Sequence, residues 1–174
     1  TLLANDPRWI GFSVEIGPDG AVYILDWHDG DICGNDVLNK DTARIQRVAP
    51  KGLRGTAGLN LAAKSDLELA ALQTHRNDWY VRRARLLLQE RAAAGRLDPK
   101  VAPVLREQLA RGADAGRQLR ALWALHVTGN LPAEELTRLL EHPTAPVRGW
   151  AVQLLSEDGP APAGVAQGAG GPVE

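Results

Sequence analysis

The sequence predicts an α+β protein, mainly α, in which about three antiparallel strands precede about three pairs of helices stacked as a solenoid. Three observations lead there. Residues 13–27 alternate around a strong turn, the composition changes between Pro50 and Gly58, and helical segments from Ser65 onward recur in pairs. The 174 residues are 44% hydrophobic and 24% charged, which suits a folded globular chain.

The strands come first. Ser13-Val-Glu-Ile16 alternates, Gly17-Pro-Asp-Gly20 is a turn by composition, and Ala21 to Trp27 is β-branched and aromatic. This is a hairpin. A polar stretch from His28 to Asp41 is too rich in Asp, Asn and Gly for regular structure, and Ala43 to Val48 supplies a third strand. Three strands do not close a sheet, so partner strands are expected upstream of residue 1. The opening on Thr1 and the lack of methionine agree with a fragment or processed chain.

Residues 1–50 are therefore assigned to the β part and 51–64 to a linker. Residues 65–158 hold the helices and 159–174 a Gly/Ala/Pro tail expected to be disordered. Ser65 with Glu68 makes a capping box for a helix over 66–74. Asn77 or Asp78 caps the next, which stops at Gly95, and Asp98-Pro99 opens a third that ends at Gly112. The fourth covers 116–128 before Gly129, the fifth opens at Pro132 and runs to about 141, and Thr144 caps the sixth, to about 156. Pair starts at 66, 98 and 132 are 32 and 34 residues apart, which marks a helical repeat. Each second helix carries an apolar-Arg step, Val81-Arg82, Leu119-Arg120 and Val147-Arg148, the pattern of HEAT-like repeats.

Charge and cysteine content narrow the function. The net charge is −1, with 6 basic against 8 acidic residues over 1–63 and 14 against 12 over 64–158, so a general nucleic-acid binder is excluded. No apolar run reaches membrane-spanning length. The single Cys33 makes neither an internal disulfide nor a thiolate metal site alone, and reads as a small buried side chain.

Asp26, His28, Asp29 and Asp31 form the densest set of ligand-type side chains, leaving a strand end into a loop. Their carboxylates suit calcium, and His28 suits a transition metal or a base. Neighbouring strand residues point to opposite sides, however, and the spacing is not that of a standard calcium loop. The simpler role is preferred, with Asp26 and Asp29 accepting from loop amides.

Arg82, Arg83 and Arg85 beside Trp79 and Tyr80 read as a solvated helix face, and Trp123 and Trp150 as interhelix packing. His75, His126 and His142 lie near helix ends, where they interact favourably with the helix C-terminus or cap locally. No Ser-His-Asp order, phosphate loop or dinucleotide fingerprint appears.

The run Trp9-Ile-Gly-Phe-Ser-Val-Glu-Ile-Gly-Pro-Asp-Gly-Ala-Val-Tyr-Ile-Leu-Asp-Trp-His-Asp-Gly-Asp-Ile-Cys-Gly34, followed by Thr42-Ala-Arg-Ile-Gln-Arg-Val48, resembles a known family. It is similar to the end of the propeller in large bacterial proteins labelled membrane-bound dehydrogenases. These join a β-propeller related to glucose and sorbosone dehydrogenases to HEAT repeats and then to a c-type haem domain. The helical half is similar too, in Trp79 to Arg91, Leu119 to His126 and His142 to Ala151.

The resemblance covers about residues 9–157 and implies a partial propeller blade followed by a HEAT-like stack. It also implies an extracytoplasmic parent using pyrroloquinoline quinone, calcium and haem c. The partners implied are the rest of the propeller and a haem domain. No cofactor is expected within this segment, which has no Cys-x-x-Cys-His. Ala43 stands where the family has glycine, so a positive φ is not expected there. A different reading is a binding scaffold, with the helical stack presenting a surface to a protein partner.

Overall fold

The structure, a computed structural model, describes residue 6, residues 9–27 and residues 42–157. Among these the protein is mainly helical, with one three-stranded antiparallel sheet and six α-helices. Contacts divide the chain into two compact units, residues 1–87 and 88–174. The sheet thus falls in one unit with the first helices, on the far side of the predicted 51–64 linker.

The first unit opens with β1 (Gly11–Ile16), β2 (Val22–Asp26) and β3 (Arg44–Val48), in the order β1-β2-β3. Cross-strand register puts Val14, Ile24 and Gln46 beside Ile16, Val22 and Val48 on one face. Ser13, Leu25 and Ile45 lie with Glu15, Tyr23 and Arg47 on the other. A bulge between Gly11 and Ser13 lengthens β1 beyond the predicted start at Ser13.

The turn between β1 and β2 is closed by backbone bonds and by one side chain. Gly20 donates to the Gly17 carbonyl at 3.0 Å, and Asp19 Oδ1 accepts the Ala21 N–H at 3.0 Å. Gly17 is glycine for want of space: a Cβ there would stand 2.2 Å from the Tyr23 ring.

A 3₁₀ turn at Leu61–Ala63 precedes α1 (Asp66–Ala71), which tightens into a second 3₁₀ turn over Leu72–Thr74. The capping box forms as expected. Ser65 Oγ accepts the Glu68 N–H at 3.3 Å, and Glu68 Oε2 accepts the Ser65 N–H at 2.8 Å. Next comes α2 (Asp78–Ala93), where Val81, Ala84 and Leu88 are fully buried at helical spacing. Buried Gln73 donates Nε2–H to the Val81 carbonyl at 3.2 Å.

The second unit contains α3 (Val101–Arg111), α4 (Ala115–Val127), α5 (Ala133–Leu139) and α6 (Ala145–Glu157). Helix α3 packs on α4, and α6 packs on both α4 and α5. Leu105, Leu109, Leu122, Leu125, Val147 and Leu154 fill the core. Trp123 on α4 meets Trp150 on α6 edge to face, with ring centroids 5.0 Å apart, as expected of interhelix packing.

Helix α3 starts three residues after Asp98. The Asp98 side chain accepts the Lys100 N–H at 2.8 Å, so it closes a turn ahead of the helix instead of capping it. Gly129 ends α4 at φ +70°, a conformation a side chain would resist. Gly112 behaves differently, since its φ is −55° and a Cβ would meet the Gln108 carbonyl oxygen at 2.9 Å. Close approach of α3 and α4 selects that glycine.

The apolar-Arg step is not the equivalent position of the three second helices. Val81 and Val147 are fully buried but Leu119 is only half-buried. The step lies four, five and three residues after Asn77, Asp114 and Thr144, and each extra residue turns it by about 100°. A small residue is buried alike in all three helices. Ala84, Ala121 and Ala151 each lie seven residues after those flanking residues, and all three are fully buried.

Candidate functional site

The two ends of the sheet are chemically different. At the far end from the hairpin turn, Asp26 is the last residue of β2 and its side chain is fully buried. Its Oδ1 accepts the Ile10 N–H at 3.1 Å, and Oδ2 accepts from Arg44 Nε at 2.9 Å and Nη2 at 2.7 Å. Arg44 also donates from Nη2 to Asp6 at 2.9 Å. Hydrogen bonds to Asp6 and then Asp26 push the guanidinium pKa above its ordinary value.

The structure thus places Asp26 in a backbone and ion-pair role. A guanidinium 2.7 Å from Oδ2 supplies the positive charge that this buried carboxylate needs. His28, Asp29 and Asp31, and Cys33, lie outside the described residues. Among the described residues no three His, Cys, Asp or Glu side chains converge as a metal site.

At the hairpin end, Asp19 is the hub. Its Oδ2 accepts the Tyr23 hydroxyl at 3.1 Å and Arg47 Nε at 2.8 Å, which ties the turn to β3. Burial raises the Asp19 pKa, but the Ala21 amide, Arg47 and Tyr23 together outweigh it and hold the carboxyl below its ordinary value. Arg47 Nη2 also donates to the Leu53 carbonyl at 3.1 Å, fastening the segment that leaves the sheet.

The same end is joined to α2. Asn77 Oδ1 accepts the Trp79 N–H at 3.0 Å as a helix cap, while Nδ2 donates to the Gly17 carbonyl at 2.9 Å. Arg82 pairs with Glu15 of β1 at 2.9 Å and with Asp78 at 3.2 Å. Between β1 and α2 lies an open cleft of about 520 Å³, walled by Ile16, Tyr23, Trp79 and Leu86. Arg83 stacks on Trp79, with its guanidinium carbon 5.9 Å from the ring centroid.

Arg82, Arg83 and Arg85, with Trp79 and Tyr80, are expected on a solvated face. Arg82 and Arg83 are exposed, but Arg85 is half-buried with one guanidinium nitrogen inside, and the structure also brings Arg82 onto the sheet and Trp79 into the cleft wall. His75 and His142 do cap locally: each Nδ1 accepts a backbone N–H two residues on, from Asn77 at 3.0 Å and Thr144 at 3.1 Å. His126 sits 3.3 Å from Glu157.

Sequence reasoning missed Asp19, Arg47 and Asn77 as bridging groups. Tyr23 and Arg47 meet Asp19 because they are cross-strand partners, a pairing that appears only once the strands are in register.

Comparison of the chain with protein-family models, with curated proteins and with solved structures found no match. Among the described residues no helix is long and apolar enough to cross a membrane.

Proposed function

We propose that the chain is a structural junction: the closing part of a β-propeller joined to HEAT-like helix pairs, within an extracytoplasmic quinoprotein-like oxidoreductase of sugars or alcohols. The observation that carries this reading is the two-sided apolar character of the sheet. Val14 is 67% exposed on one face and Ile45 70% on the other, accompanied by Val48 on the first and Leu25 on the second. A sheet lying on one layer of helices needs a single apolar face, whereas a propeller blade is covered on both faces by its neighbours.

The repeated buried alanine in α2, α4 and α6 supports a stacked helical repeat, because a small residue at the same place in each second helix lets neighbouring helices approach alike. Quinone, calcium and haem c would supply the redox chemistry from other parts of such a protein. This segment would position the blade and the stack. The Asp26–Arg44 and Asp19–Arg47 pairs hold the two ends of the strands in register for that purpose.

The test is isolation of the intact polypeptide that carries this segment, followed by its absorbance spectrum and dye reduction with sugars and alcohols. A haem c spectrum with quinone-dependent dye reduction is expected. A polypeptide with neither haem nor propeller strands overturns the reading.

A further inference from the structure

The cleft between β1 and α2 has a charge and a shape that the junction role does not use. Its walls are apolar and open to solvent: Ile16 and Leu86 remain 45% and 43% exposed beside the indole of Trp79. Its volume, about 520 Å³, lies in the range of small-molecule sites. Three charged side chains line it, Glu15, Arg82 and Arg83.

Those side chains are not all engaged alike. Arg82 is paired with Glu15 and, one helical turn back, with Asp78. Arg83 has no anionic partner among the described residues, and its one contact is the face of Trp79. Residues 79 and 83 are one turn apart on α2, which brings the guanidinium to the Trp79 ring. Stacking leaves the N–H donors at the guanidinium edge available, and their fork matches a carboxylate.

We propose that this cleft binds a small ligand with a flat apolar body and a single carboxylate. The body lies against Trp79, Ile16 and Leu86, and the carboxylate meets the Arg83 fork. The ligand gives the Arg83 guanidinium an ion-pair partner and covers apolar surface that water now wets.

The experiment is a titration of the full chain with naphthalene-2-carboxylate and, as a neutral isostere, naphthalene-2-carboxamide, followed by two-dimensional NMR at the Trp79 indole N–H. Saturable shifts at Trp79 are expected, with the carboxylate binding about fivefold more tightly than the carboxamide, as for an ion pair open to solvent. R83Q should abolish that difference while keeping carboxamide binding, and W79A should weaken both ligands. If W79A unfolds the hairpin, R83Q alone decides the question, because Arg83 is exposed and makes no bond that holds the fold. Equal binding of the two probes, an unchanged preference in R83Q, or shifts confined to other tryptophans would overturn the proposal.

Discussion

Asn77 performs two tasks with one amide, and substitutions can separate them. Its carbonyl oxygen caps α2 through the Trp79 N–H, and its NH₂ group donates to the Gly17 carbonyl on the hairpin. Loss of a cap costs about 1 kcal/mol, and loss of a neutral hydrogen bond about 1 kcal/mol. The further contact to the Pro18 carbonyl, at 3.4 Å, is long enough to add little. Asn77→Ala should therefore destabilise the first unit by about 2 kcal/mol. Asn77→Asp keeps an acceptor for the cap but has no donor for Gly17, so it should cost about 1 kcal/mol. Native-state hydrogen exchange reads the two effects apart. In Asn77→Asp, the amides of residues 17–26 should exchange about fivefold faster while those of α2 stay protected; in Asn77→Ala both regions should loosen. Wild-type protection of the hairpin in Asn77→Asp would refute the coupling of hairpin and helix through this side chain.

Four other outcomes are expected. Ser65→Ala should lower stability by about 1 kcal/mol in urea unfolding, since it removes the α1 cap. Glu68, held at about 2 against an ordinary 4.5 by the Ser65 amide first, then the Ser65 hydroxyl and Lys64, contributes stability that is complete above pH 4.5 and is lost as pH falls toward 2. Melting curves of Glu68→Gln should accordingly show a weaker dependence over that window than wild type. Leu125→Ala removes a fully buried α4 side chain and should cost about 2–5 kcal/mol in the same unfolding assay. Glycine-to-alanine changes should diverge: Gly149→Ala, with open space in the middle of α6, should stabilise by about 0.5–1 kcal/mol, while Gly112→Ala, facing a backbone oxygen, should destabilise by about 1–3 kcal/mol.

The helices were readable because their signals are local. Ser65 accepts a backbone N–H from three residues on, and Gly95 and Gly129 end helices within one turn, so a short window of sequence contains the cause. The hairpin was readable for the same reason. What escaped was long-range. Asp26 and Arg44 are separated by 18 residues, Asp19 and Arg47 by 28, and Asn77 and Gly17 by 60. Many arginines and acids in the sequence could have paired, and only the fold selects among them.

Arg106 illustrates the point. It holds Glu135 at 2.9 Å and the Asn130 carbonyl at 2.8 Å, joining α3 to the loop after α4 and the start of α5, yet no sequence pattern marks it. The six helices were legible as segments, but which of their positions are buried alike was not: Val81 and Val147 are fully buried and Leu119 is not. An apolar-Arg step is conspicuous in sequence, whereas a buried alanine is not.

The bulge between Gly11 and Ser13 bears on how this protein tolerates concentration. A regular strand edge with solvent-facing Phe12, Val14 and Ile16 would be a template on which further chains could add. The extra residue breaks the even spacing of edge donors and acceptors and increases local twist, and Glu15 adds a charge held in place by Arg82. An apolar edge strand is thereby made a poor seed for fibres.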